Sequence, residues 1–426
     1  MKILQIFTKS RTESAIQRNS RSFRPLIDGG RLEEREVPAV TPYKIPLELV
    51  NIKPAGQTPV YKLGIYVGLG GGPPKLYEFD TGGEGFWAAY SKKDCDCQWW
   101  GSFETKETGT MNITYSSGNV YKANIVSTTV TLYAPGTNGQ APSPVVTSGK
   151  VDLAQITSFK NNRNSIAASE WNKALKDGEP PLFGNFYGDF GASLQPISSS
   201  KGSNIYSILP QIPMPDGLDV GFTVHVGAID GSTQPYLQIG IDPSAQPTGT
   251  SQVKMNPFTS RTTGQPVYFP VTGVSAYSEQ VANATFELHD KKRGLKQTFS
   301  NIGWTIDTGA PSATIWQARS INNKNGVNVR TRFFKPDKTK SEIRDNVDFK
   351  IMASTAGSGQ GDFVATSLTG KPFPKIPLSA GRHSASSAPG WNYVNTGLWT
   401  FTVYDISFNL SKGLVGFSQV STSQIG

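Results

Sequence analysis

Cysteine is almost missing from this chain: Cys95 and Cys97 are the only two among 426 residues. Two cysteines cannot build a disulfide framework, and a single Cys-x-Cys pair is at most half of a metal site. Histidine is as scarce. His225, His289 and His383 are scattered and carry no HExxH spacing, so no metal is expected and a zinc enzyme is disfavoured. No apolar run reaches about 18 residues, which argues against a membrane-spanning helix. The opening MKILQIF gives way to TKSRTES before it reaches the apolar core of about 7 to 15 residues that a secretory signal needs. The patterns GxSxG and Walker A are absent, which removes support for an α/β-hydrolase or a P-loop NTPase.

Turn formers, by contrast, are plentiful. Forty-four Gly and 29 Pro interrupt the chain too often for many long helices. From Tyr43 onward short apolar alternations dominate, among them YKLGIYVGL, KLYEFD, VSTTVTLY, GFTVHVGAI, PYLQIGI, ATFELH, WTFTVYDISFN and LVGFS. Such spacing predicts strands in hairpins and barrels, and for this length two β lobes. Helix is expected only over Ser165 to Lys176 and over Thr314 to Asn322. Gly68 to Gly72 (GLGGG) precedes Pro73-Pro74 and a strand rather than a helix, so it reads as a turn and not a phosphate cradle. Lys291-Lys292-Arg293-Gly294 reads as an exposed hairpin tip, and Trp99 and Trp100 as packing beneath a loop rather than a sugar platform.

The first 25 residues place Lys2, Lys9, Arg11, Arg18, Arg21 and Arg24 against Glu13 alone, a net +5 out of the total +9. With few apolar anchors, this stretch reads as a solvated tail. It lacks interleaved aromatics, and no recognisable nucleic-acid module follows it, so no nucleic-acid partner is expected.

One tripeptide occurs twice in matching context. Asp80-Thr81-Gly82 ends the apolar run KLYEF, and Asp307-Thr308-Gly309 ends NIGWTI, once in each half of the chain. Two carboxylates held a few ångströms apart cannot both ionise, so they share a proton and titrate as a pair. One such state contains a base and an acid together. The ionised member can take a proton from a water while the protonated member donates to a carbonyl, giving a tetrahedral intermediate with no covalent adduct.

With its surroundings the repeat resembles the pepsin-like aspartic proteases, over about Ile45 to Phe417. GLGGGPPKLYEFDTGGEGFW is similar to that family's first active-site block, and ITYSSGNVYKANIVSTTVTL to its flap hairpin. FGNFYGDFG resembles the hydrophobic-hydrophobic-Gly segment behind the first aspartate, taken to end at Gly188. GLWTFTVYDISFNLSKGLVGF is similar to the closing block. The resemblance implies an all-β, bilobal fold, with two β-barrel-like lobes and an active site in the cleft between them. Residues 1–40 would be a tail or an inhibitory prosegment, 41–242 the N-terminal lobe and 243–426 the C-terminal lobe. It implies an aspartic endopeptidase, a monomer without cofactor, acting on extended polypeptide. Asp80 and Asp307 would be the catalytic pair. Thr81 and Thr308 would link the two loops, and Gly82 and Gly309 would let backbone approach the carboxylates. Tyr115 would sit on the flap, supported by Trp87 through packing or a hydrogen bond. The alternative is a pepsin-fold protein that has lost catalysis and acts by binding. The resemblance leans the setting towards secreted or extracytoplasmic. Departures from the family stand at Gly83 and Ala310, where Ser or Thr is usual, and at Asn395-Thr396, where apolar residues are usual. Cys95 and Cys97 fall where many members place a small-loop disulfide, but a one-residue spacing would strain such a bond.

Overall fold

The period-two alternation of the sequence organises the chain into three main β-sheets. The computed structural model describes residues 40–426 except 54, 55, 58, 92–97, 116, 137–139, 163, 165, 230, 245–250, 261, 312, 318–346, 354–362, 367–378, 383–392 and 421–426. The basic N-terminal stretch and the Cys95/Cys97 pair lie outside the described residues.

An eight-stranded sheet carries the first Asp-Thr-Gly. Its order is Glu48–Asn51, Tyr61–Leu69, Lys75–Asp80, Gly188–Gly191, Phe86–Ala89, Ser143–Asn161, Asn119–Ala134, Glu104–Thr114. A seven-stranded sheet carries the second, with Gln280–Asp290, Leu295–Thr305, Tyr393–Asn395 and Thr314–Gln317 at its centre. A third, six-stranded sheet joins the halves, because Asp219–His225 pairs with Tyr404–Asn409 across 180 or more residues of sequence. Among the described residues no helix is long and apolar enough to cross a membrane.

Both lobes use the same local device. Gly188–Gly191 is inserted between Lys75–Asp80, to which it runs parallel, and Phe86–Ala89, to which it runs antiparallel. In the second lobe Tyr393–Asn395 is likewise parallel to Leu295–Thr305 and antiparallel to Thr314–Gln317. The inserted strand forces each aspartate strand and its successor apart, so the Asp-Thr-Gly loop opens at the strand's carboxyl end. Aromatic packing fixes the first loop from below: Tyr77 and Phe86 meet edge to face at 4.9 Å, and Phe86 lies 5.0 Å from Phe190. In the second lobe Trp304 stacks on Phe417 at 5.2 Å. Its indole N–H donates to Thr396 Oγ1 at 3.0 Å, which accounts for a polar residue at a place where an apolar one is expected.

The helix expected near Ser165 to Lys176 runs over Ala167–Asp177 and ends at Gly178, whose φ of +76° gives a left-handed cap. It is held by Trp171, which is buried and stacks on Phe159 at 4.7 Å. Two expectations need correction. Thr314–Gln317 is a strand, not the start of a helix; its β-branched and aromatic residues pair with Tyr393–Asn395 on one side and Ser379–Arg382 on the other. WTFTVYDISFN is not strand throughout: Trp399–Val403 forms a short helix and only Tyr404–Asn409 is extended. Trp399 to Thr402 are all buried, so the alternation that suggested a strand has no solvent side there. The smaller readings hold. Gly70 and Gly71 turn with φ of +60° and +84°, Lys291 to Gly294 cap an exposed hairpin, and both Trp99 and Trp100 are buried with their N–H groups on Ala89 O.

Candidate active site

The two Asp-Thr-Gly loops meet face to face. Thr81 N–H donates to Thr308 Oγ1 at 3.0 Å, and Thr308 N–H donates to Thr81 Oγ1 at the same distance. Each hydroxyl then crosses to the other lobe: Thr81 Oγ1 donates to Ile306 O at 2.8 Å, and Thr308 Oγ1 to Phe79 O at 2.7 Å. This reciprocal set is buried, and each side chain both donates and accepts, so neither loop can shift without breaking four bonds.

The glycines bring the carboxyl groups into register. A Cβ on Gly82 would fall 2.5 Å from Asp307 Cγ, and one on Gly309 would fall 2.2 Å from Asp80 Cγ. Each carboxyl therefore rests against the other lobe's backbone, at a separation that admits only hydrogen on the α-carbon. Asp80 and Asp307 are thus adjacent, with Thr81, Gly82, Thr308 and Gly309 in one cluster.

The surroundings of the two acids differ. Asp307 Oδ1 accepts from Gly309 N at 2.8 Å and Ala310 N at 3.0 Å, and its Oδ2 accepts from Asn395 Nδ2 at 2.5 Å. Asp80 Oδ1 accepts from Gly82 N at 2.8 Å, while Gly83 N turns instead to Asp80's backbone oxygen. Asp80 is 8% exposed, and its carboxyl is held well above the usual range, first by burial and then by the negative charges of Asp307, Asp189 and Glu78. Three N–H donors converge on Asp307 and one on Asp80, so the two acids sit in unlike settings.

The aspartic proteinase from Irpex lacteus superposes on this chain with a TM-score of 0.50 at 14% identity, covering 89% of this chain and 98% of that one. The fold is pepsin-like. Basic 7S globulin from soybean gives a TM-score of 0.49 at 10% identity, with 90% and 98% covered. No protein-family model matches the chain, and no curated protein matches it in sequence.

Within the pepsin-like frame some expected roles move. Tyr115 begins the turn of the hairpin Glu104–Thr114 and Asn119–Ala134, where its N–H bonds Asn119 O. Trp87 is fully buried, but its indole N–H donates to Glu84 O at 2.9 Å and not to Tyr115. Tyr121 packs near both rings, 5.4 Å from Tyr115 and 6.2 Å from Trp87. The segment behind Asp80 is also displaced from the expected one. Register pairs Glu78 with Asp189 and Asp80 with Gly191, so the glycine beside Asp80 is Gly191 and not Gly188.

That register exposes a residue the sequence reading missed. Asp189 opposes Glu78, two residues before Asp80; Asn395 opposes Thr305, two residues before Asp307. Asp189 and Asn395 therefore hold equivalent places in the two lobes. Asp189 is 4% exposed, and Lys62 forms a half-buried ion pair with its neighbour Glu78. A charged residue inside YGDFG, a run otherwise aromatic and glycine, was the available signal.

Proposed function

We propose that this chain is an aspartic endopeptidase whose catalytic pair is Asp80 and Asp307. The observation that carries the reading is the contact of the two carboxyl groups across reciprocal Asp-Thr-Gly loops, each against the other lobe's glycine. In this reading residues 41–242 and 243–426 are the lobes, and an extended peptide lies between them beneath Tyr115. Asp307, with three N–H donors, is the base; Asp80, buried and facing negative charge, is the acid. Asp307 takes a proton from the attacking water as Asp80 gives one to the scissile carbonyl oxygen. The water oxygen bonds to the carbonyl carbon, giving a neutral gem-diol. Collapse returns the proton from Asp307 to the leaving nitrogen, and Asp80 regains its own from a diol hydroxyl as the carboxylic acid forms.

Incubation of the protein with denatured haemoglobin across pH 3 to 7, with and without pepstatin, tests the reading. Acid-dependent cleavage blocked by pepstatin is expected. The alternative, a pepsin-fold binding protein without catalysis, draws on Gly83 and Ala310, which lack the hydroxyl usual in the proteases. It predicts no cleavage at any pH.

A further inference from the structure

We propose that Asp189 is a positioning residue that works as a protonated acid, supporting Asp80 across the niche left open by Gly83 in place of the hydroxyl missing at that position. The proposal extends the aspartic-endopeptidase reading and rests on it for its catalytic consequence. Three geometric observations carry it. The place where a Cβ on Gly83 would sit is 3.0 Å from Asp80 Oδ2 and 3.1 Å from Asp189 Oδ2, so both carboxyls flank one small space. In the other lobe the equivalent residue, Asn395, donates an N–H to Asp307 Oδ2. By the pseudo-twofold relation Asp189 should donate to Asp80 Oδ2, and a carboxyl group can donate only when it holds a proton. Finally, Asp189 Oδ1 and the Tyr115 hydroxyl that acts on this carboxyl are both buried without a hydrogen bond of ordinary geometry among the described residues. An unpaired oxygen is far cheaper on a neutral acid than on a buried carboxylate.

The surrounding charges act in the same direction. Asp189 faces Glu78 and Asp80 from Lys75–Asp80, Lys62 from Tyr61–Leu69, Tyr115 at the hairpin turn, Tyr121 from Asn119–Ala134, and Asp307 from the opposite lobe. Burial and the charge of Glu78 raise its carboxyl well above the usual range, with a smaller push from Asp307; the Tyr115 hydroxyl and the Lys62 charge oppose them and lose. Lys62 is committed to Glu78. The proton bridges Asp189 to Asp80 directly or through one water in the Gly83 niche, with no net transfer. Asp80 keeps its role as acid, and the donor steadies whichever of its states carries negative charge during turnover.

Asp189→Asn fixes the donor and removes the titration, while Asp189→Leu removes both. The first readout is urea unfolding against pH for the wild type, D189N, D80N and the double variant. An acid raised in the folded state contributes stability below its unfolded value, 3.8 for aspartate, and loses it as pH climbs through the raised value. The wild type should therefore weaken with rising pH, D189N should show a shallower slope, and the cycle with D80N should be non-additive in its pH dependence. Equal slopes in wild type and D189N, or an additive cycle, overturn the proposal. The second readout is kcat/KM against pH on unfolded protein substrate. D189N should carry the alkaline limb upward by about one unit, and D189L should raise the acid limb by about one unit, the effect of one hydrogen bond to a charged group. Fixed limbs in both variants also overturn it. If no variant cleaves while the unfolding cycle is non-additive, the endopeptidase reading fails and the protonated Asp189 stands. If the wild type cleaves but the slopes coincide, the reverse holds.

Discussion

Replacing Gly309 by alanine should disable the site while changing one hydrogen into a methyl group. The added carbon would lie 2.2 Å from Asp80 Cγ, 2.3 Å from Oδ2 and 2.4 Å from Oδ1. Comfortable contact between carbons needs about 3.5 Å, so the carboxyl or the loop must retreat by roughly 1 Å. The carboxyl is packed between buried strands, and the loop is tied to Thr81 through Ile306 O and Thr308 N–H and to Phe79 O through Thr308 Oγ1, so neither can yield cheaply. A displacement of that size in a reacting group costs on the order of 100-fold in rate. Overpacking a filled site adds about 1–3 kcal/mol of instability. Gly82→Ala presses on Asp307 from 2.5 to 2.8 Å, a smaller overlap, and should cost less on both counts. Gly71→Ala is the control: nothing lies within 4 Å of the added carbon, so it should cost about 1 kcal/mol for its positive φ and leave turnover intact. Cleavage of denatured haemoglobin and urea midpoints for the three variants check the ranking. If Gly309→Ala kept wild-type kcat/KM and its urea midpoint, the close approach of the carboxyls would be wrong.

Other consequences follow from the same contacts. Asp80→Asn and Asp307→Asn should each abolish cleavage with the circular-dichroism spectrum retained, because an amide can neither share the proton nor accept one from water; more than a few per cent residual activity in a folded variant would remove the pair. Thr308→Ala strands Thr81 N–H and Phe79 O in a buried junction, and should destabilise by about 1–3 kcal/mol in urea; Thr308→Ser, keeping the hydroxyl, should recover most of that. Glu279, pushed up to about 8 mainly by burial and then by the charges of Glu84 and Asp307, holds a proton in the folded chain that it loses on unfolding above about 4.5. Its contribution to stability is complete below about 4.5 and disappears as pH rises to about 8, so Glu279→Gln should flatten that part of the urea-midpoint profile.

What could be read from the sequence was whatever is encoded within one strand and its turn. Asp80 and Asp307 stand at the ends of apolar runs, so the repeated tripeptide was visible without a partner, as was the all-β character. Features that depend on which strands lie side by side were not. The glycine beside Asp80 was placed at Gly188 because Phe186-Tyr187-Gly188 has the expected apolar pattern; the parallel register instead selects Asp189-Phe190-Gly191, which begins with an acid. Asn395 and Thr396 looked like poor packing because their acceptor and donor, Asp307 and Trp304, are about 90 residues away in sequence. The family resemblance set Trp87 behind Tyr115, and only the fold brings Tyr121 against both rings.

The two lobes repeat their backbone more faithfully than their side chains, and the difference has chemical content. If the repeat were perfect, both aspartates would meet the same donors and burial, and nothing in the protein would decide which one holds the proton. Here Ala310 N–H reaches the Asp307 carboxylate, whereas Gly83 N–H, its counterpart, bonds a backbone oxygen. Asn395 brings a permanent donor to Asp307; Asp189, its counterpart, brings a donor only while protonated. Glu78 adds negative charge behind Asp80, where the second lobe has Thr305. In the proposed reading, the extra N–H on Asp307 and the charge of Glu78 behind Asp80 favour a base on the second lobe and an acid on the first. Acid–base cleavage needs one of each at the moment a water and a carbonyl meet. On that reading the direction of proton flow depends partly on Asp189 and Asn395, which lie on strands that reach the aspartates from more than 80 residues away.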